Sequence, residues 1–141
     1  MVRGLKTVET RSWSPESRGV KLPRKILIHA AARKIEQAEV DSICASLPPA
    51  LAKEVLSYEY PLGAIVGWAA FYKAEKMTSS LIELTDTEEK AFGIWEPGRF
   101  AWYSCGSQVL RSPVKCRGGQ TFWHPPIEVA EQVTKQVEGD R

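Results

Sequence analysis

The sequence predicts an α+β fold: a small, closed or partly closed β-barrel of about five or six mostly antiparallel strands with two or three flanking helices. Three observations lead there. Several segments, among them "KILIHAA" (25–31), "LGAIVGWAAFYKAEKM" (62–77) and "RFAWYSCGSQVL" (99–110), carry the aliphatic and aromatic residues that suit a pleated surface. Between and after them stand stretches with helical spacing of apolar residues. Finally, 141 residues fit one domain, because ~100–200 residues is the usual span.

The elements follow in order. "KTVETRSW" (6–13) reads as an opening strand, and "SPESRGVKLPRK" (14–25) as a loop marked by Ser, Pro and Gly. "KILIHAA" is an interior strand. In "IEQAEVDSICASL" (35–47), Val40, Ile43, Cys44 and Leu47 recur at the interval of one helix face. Pro48 and Pro49 end that helix, and Pro49 suits the first turn of a second one over "PALAKEVLSY". The run 62–77 reads as a central strand with a bend or close backbone approach at Gly67. Acidic "IELTDTEEKAFGIWEPG" reads as a loop or short helix. Segment 99–110 is a further strand, and "SPVKCRGGQTFWH" (112–124) a turn and a last strand. Residues 1–126 form the domain, and 127–141 a terminal helix, with Val129, Val133 and Val137 at fourfold spacing, fraying into "EGDR".

Composition excludes some classes. With 43% hydrophobic and 26% charged residues the chain is an ordinary globule that needs neither metal nor disulfides to bury a core. No apolar stretch approaches the ~20 residues of a membrane span, so no membrane partner is expected. "MVRGLKTVET" lacks the apolar centre of a secretory signal, which makes the cytoplasm the default address. Three cysteines, Cys44, Cys105 and Cys116, without CxxC spacing agree with reduced thiols. Neither composition nor spacing points to a cofactor, and oligomeric state is not readable.

The net charge of +2 hides a pattern. Residues 1–34 carry +7, residues 35–96 carry −7, residues 97–126 carry +4 and the remainder −2. Were the fold to join the first and third blocks, the molecule would have a basic face suited to a polyanion, and an acidic back. The alternative is two solvated basic regions lying apart.

Strand alternation sharpens this. On "KTVETRSW", Thr7, Glu9, Arg11 and Trp13 share one face, while Lys6, Val8, Thr10 and Ser12 share the other. The first face combines a carboxylate, a guanidinium that can fork onto phosphate and an indole that can stack on a base. A surface Arg–Glu pair beside a half-buried Trp is the plain reading of the same residues.

Along the chain stand Lys6-Thr7-Val8-Glu9-Thr10-Arg11, then His29-Ala30, Leu62-Gly63 to Gly67, Gly98-Arg99-Phe100-Ala101-Trp102, Pro113, and Gly118 or Gly119 leading to Trp123. Their order, over about 5–123, resembles the ASCH domain family, a branch of the PUA-like barrels. The likeness implies a barrel whose cleft is lined by the Lys/Glu/Arg strand and binds RNA, single-stranded nucleic acid or a modified nucleoside. Lys6, Glu9, Arg11, Trp13, Arg99 and Arg117 are then the nucleic-acid-binding candidates. The family also contains ribonuclease-like members and an N4-acetylcytidine amidohydrolase branch, which makes Lys6 and Glu9 catalytic candidates. That branch places Thr three residues after its Lys, where this chain has Glu9. Thr10 comes one place later, and its α-carbon would lie roughly 13 Å from that of Lys6 in a straight strand. The Q-P-[aromatic]-A stretch usual upstream of the lysine does not occur here, and Trp68-Ala69-Ala70-Phe71 stands where relatives often carry an acid.

Other chemistries are open at single positions. His29 ends an apolar strand, a place for a hydrogen-bonded structural histidine, yet it also titrates near neutrality and suits acid–base work in RNA cleavage. Glu75 is a further candidate acid. Cys105, Cys116, His29 and His124 match no compact zinc hook, so no metal is expected. "RGGQT" (117–121) could approach an anion through its amides but lacks the lysine of a triphosphate loop. Among five tryptophans, Trp68 reads as core, Trp102 and Trp123 as structural, and Trp13 and Trp95 as stacking platforms. A protein-interaction module using the acidic block is a third functional class.

Overall fold

The computed structural model describes residues 1–58 and 61–139. The elements are β1 (Val8–Arg11), a 3-10 turn (Glu16–Arg18), β2 (Arg24–Ala30), α1 (Gln37–Ala45), α2 (Pro49–Ser57), β3 (Ala64–Lys76), α3 (Ser79–Leu84), α4 (Thr87–Lys90), β4 (Phe100–Lys115) and α5 (Ile127–Gly139). The fold is α+β with one antiparallel sheet in the order β1-β4-β3-β2. Among the described residues there are four strands rather than five or six, and five α-helices rather than two or three. β1 and β2 are the two edges of the sheet and do not pair with each other.

Two long strands explain the lower strand number. β3 runs for 13 residues and β4 for 16, straight through Ser112-Pro113 where a turn is predicted. Proline is tolerated there because 110–113 fall in a bulge: Val114 pairs with Ile65 and Val109 with Gly67, so four β4 residues stand opposite Val66 alone. The bulged backbone is satisfied from α5. Ser112 N–H donates to Gln136 Oε1 at 3.0 Å, and Gln136 Nε2 donates to the Ser112 carbonyl at 2.8 Å. The expected strand over "GGQTFWH" does not form. Thr121 adopts a positive φ of 56°, and the segment runs without regular structure past the sheet.

The extra helices come from the acidic segment. The Thr78 hydroxyl accepts the Leu81 N–H at 3.1 Å and starts α3, and Asp86 stands at the N-cap of α4. Pro49 occupies the first turn of α2, and that helix packs on α1 with Leu47 and Val55 buried. The predicted terminal helix forms from Ile127. Of the "EGDR" tail, Glu138 is helical and Gly139 ends α5, while Asp140 and Arg141 lie outside the described residues. Among the described residues no helix is long and apolar enough to cross a membrane.

Three apolar clusters hold the layers together. Ile65, Leu110 and Val114 receive Val133 of α5, with Val129 and Val137 beside it, so the terminal helix belongs to the domain core. Val8, Met77 and Ala101 pack against Leu81, Ile82 and Trp95. Ala69, Phe71 and Trp102 form the third, flanked by Trp13, Ile26, Ile28 and Phe122. Trp68 is not core. It sits half-buried with the Lys25 ammonium 4.5 Å above its ring.

The short edge strand β1 keeps its register by two means. Val8 and Thr10 point inward and are buried, as the alternation predicts. On the unpaired side, the Glu89 carboxylate of α4 accepts the Thr7 N–H, the Val8 N–H at 2.9 Å and the Thr7 hydroxyl at 3.0 Å. Glu89→Ala removes an acceptor for both backbone groups and is expected to cost about 1–3 kcal/mol of stability, read as a lower urea midpoint. An unchanged midpoint would show that this carboxylate does not anchor β1.

Candidate functional site

The ladders of the sheet are interrupted. Besides the 110–113 bulge, β3 and β4 slip at Ala70/Phe71 and at Phe71/Lys73, and β2 slips against β3 at Ile28/His29. Each slip adds local twist. The result is a concave cleft of about 910 Å³, walled by β1, β2, the 3-10 turn and the segment 119–125. Its floor is the third cluster, with Phe71 and Trp102 at the bottom.

β1 presents the predicted face. Glu9, Arg11 and Trp13 line the cleft, while Val8 and Thr10 face the core. Trp102 fixes this wall: its indole N–H donates to the Trp13 carbonyl at 3.2 Å, and the two rings meet edge-on at 4.9 Å. Phe122 stacks on Trp102 with planes 24° apart and meets Trp13 edge-on, which ties the 119–125 segment to β1. The Arg18 guanidinium lies 5.4 Å from the centre of the Trp13 ring.

The other candidates are distributed differently. Lys6 precedes the strand, so alternation does not govern it. Its ammonium crosses to Glu9 Oε1 at 3.2 Å, and it is not among the residues lining the cleft. The same Glu9 oxygen accepts the Thr10 N–H at 2.8 Å, and Arg11 lies 3.9 Å from Glu9 Oε2. Thr7 turns away to Glu89. Arg99 donates to the Ile94 carbonyl at 3.1 Å and to the Thr10 carbonyl at 3.5 Å, so it braces the outer side of β1 and does not line the cleft. Arg117 is exposed and also absent from the lining. Of the third basic block, therefore, the uncharged stretch 119–125 reaches the cleft and the cations do not. Trp95 packs with Val8 and Met77 and is no platform in the cleft. Glu75 pairs with Lys73 at 3.0 Å, away from the cleft.

In place of those cations the cleft has Arg18 and Arg24. Neither takes part in any ion pair among the described residues, so their donors are unspent. With Arg11 they set, among the described residues, three guanidiniums against the carboxylate of Glu9. Both lie in the +7 block, but only the turn ending at Gly19 (φ 80°) and the pairing of Arg24 with Phe71 aim them inward. No spacing in the sequence indicates that.

His29 closes one end. Its Nε2 contacts the Cys116 carbonyl at 2.9 Å, and because a carbonyl only accepts, that nitrogen carries the proton. The ring meets Trp123 edge-on at 5.4 Å, so Trp123 and His29 form one wall. Burial pushes the Cys116 thiol above its ordinary value, which keeps it protonated. Among the described residues no group of three or more His, Cys, Asp or Glu is arranged to hold a metal ion.

No protein-family model matches this chain, and no curated protein matches it.

The seam between β2 and the 116–125 segment depends on a missing side chain. A Cβ on Gly118 would fall 2.8 Å from His29 Cε1 and 3.0 Å from Nδ1. Gly118→Ala is expected to displace the imidazole and cost about 1–3 kcal/mol, as overpacked sites do, measured as a lower thermal midpoint. A midpoint equal to that of the parent would show that this seam is not tightly packed.

Proposed function

We propose that this chain is a partly closed, ASCH-type PUA-like barrel that binds single-stranded RNA, or one of its nucleotide units, in the curled cleft. The observation that carries the reading is the meeting of unpaired Arg18 and Arg24 with an aromatic floor and walls. Guanidiniums without carboxylate partners suit phosphate, to which they offer parallel N–H donors. Trp13 and Trp123 offer ring surface for a base, and base–aromatic stacking contributes ~1–3 kcal/mol. Glu9, held by Lys6 and the Thr10 amide, keeps Oε2 beside Arg11 and available to accept from a base or sugar hydroxyl. A volume near 910 Å³ suits a small ligand, since such sites span ~300–1,000 Å³.

The hydrolase reading draws less support. Lys6 is committed to Glu9 outside the lining, and the Thr10 hydroxyl is buried, accepting the Ile94 N–H at 3.2 Å. A nucleophile would need to be free and to face the ligand.

Filter binding of a single-stranded oligoribonucleotide across salt tests the proposal. Two phosphate contacts, from Arg18 and Arg24, predict a slope of about −1.4 for log K against log salt, from ~0.7 per contact. Arg18→Ala and Arg24→Ala should each reduce that slope by ~0.7, while Arg117→Ala leaves it unchanged. A flat plot for the parent chain would contradict the proposal.

A further inference from the structure

The residues lining the cleft differ in kind on its two sides. From β1 come Glu9 and Arg11, with Trp13 following at the same interval just past the strand's end, every second residue, which is what a strand contributes when one face borders a hollow. From β2 come Arg24, Lys25, Ile26, Leu27, Ile28 and His29, six in succession. A strand face cannot do that. Pairing confirms the difference: Arg24 stands opposite Phe71 and Ile26 opposite Ala69 on the inner side, whereas Lys25 stands opposite Ala70 and Leu27 opposite Trp68 on the outer side, yet all four β2 residues border the cleft. It is therefore the edge of β2, its backbone, that faces the hollow.

That edge has hydrogen-bonding capacity to spare. Among the described residues β2 is the last strand of the sheet and pairs with β3 alone. In an antiparallel pair, alternate residues exchange both N–H and C=O with the partner, and the residues between them turn both groups away. No backbone–backbone bond among the described residues reaches the outer side of Arg24–Ile28. Each outward residue thus presents a donor and an acceptor side by side, close to coplanar and a fixed distance apart.

We infer that this edge reads the Watson–Crick edge of an unpaired nucleobase, the base lying in the cleft with its phosphate toward Arg18 and Arg24. The inference rests on the nucleotide-binding reading above. Every nucleobase carries an adjacent donor and acceptor on that edge, and single-stranded RNA leaves them free, so a residue's outward N–H and C=O match them as a pair. In a duplex the same atoms are spent on the opposite strand, which makes the cleft selective for unpaired bases. An exposed strand edge can also accept another strand. The guanidiniums bordering the same cleft and its compact form, bounded by the 3-10 turn and by 119–125, favour a small anionic ring compound instead.

The test is a backbone amide NMR titration of the full chain with the four ribonucleoside 5′-monophosphates. The tightest of them is then compared with its counterpart methylated on the Watson–Crick edge, at N3 of a pyrimidine or N1 of a purine. The expected result is a shift of every second amide within Arg24–Ile28, and binding about tenfold weaker or worse for the methylated nucleotide. Equal binding of the methylated form, with the Trp13 indole shifting and the β2 amides still, would overturn this inference and leave the nucleotide reading standing. No response to any nucleotide would remove both. A penta-aspartate peptide that moves the β2 amides where nucleotides do not would assign the edge to a peptide strand and overturn it as well.

Discussion

Trp102 is the residue on which the geometry turns. It stands near the start of β4, where that strand is flanked on both sides, and it touches three segments that are remote in sequence. Its indole N–H holds the Trp13 carbonyl as the chain leaves β1, its ring stacks on Phe122, and its edge contacts reach Phe71 of β3. Burial to 4% exposure would strand the indole N–H without an acceptor were the Trp13 carbonyl not there. One side chain thereby fixes the exit of β1 and the path of 119–125, and so sets the width of the hollow between them.

Twist does the rest. The extra β4 residues between Val109 and Val114, together with the slips around Phe71 and at His29, add twist to the four-stranded sheet. The face of β1 and the edge of β2 border the same space, although neither strand bonds to the other. Charge then follows from position. Arg11, Arg18 and Arg24 are close in sequence and all border the one cleft, whereas the acidic block is spent elsewhere, with Glu89 fastening β1 and Asp86 opening α4.

Much of this was legible in advance. Alternation over Val8, Glu9 and Thr10 separated the inward from the outward face of β1, and the apolar spacing of Val40, Ile43, Cys44 and Leu47 located a helix. What misled was local punctuation. Ser112-Pro113 reads as a turn, but a bulge whose backbone is satisfied by Gln136 lets the strand continue, and that partner is 24 residues away. Phe122 and Trp123 read as strand residues by propensity, and the glycines before them and their packing on Trp102 and His29 override it. The assignment of Arg99 and Arg117 to the cleft followed charge and family pattern. Burial and hydrogen bonding place Arg99 on the other side of β1, a distinction that no one-dimensional pattern contains.

The central claim is that a ligand bearing a base meets this protein inside the hollow bounded by Trp13, the β2 edge and 119–125. Photo-crosslinking of a single-stranded RNA containing 4-thiouridine, with the adducts located by mass spectrometry, tests it directly. Adducts confined to peptides spanning 11–29 and 119–125 are the expected result. Adducts gathered instead on α1 and α2, or on α3 and α4, would contradict it.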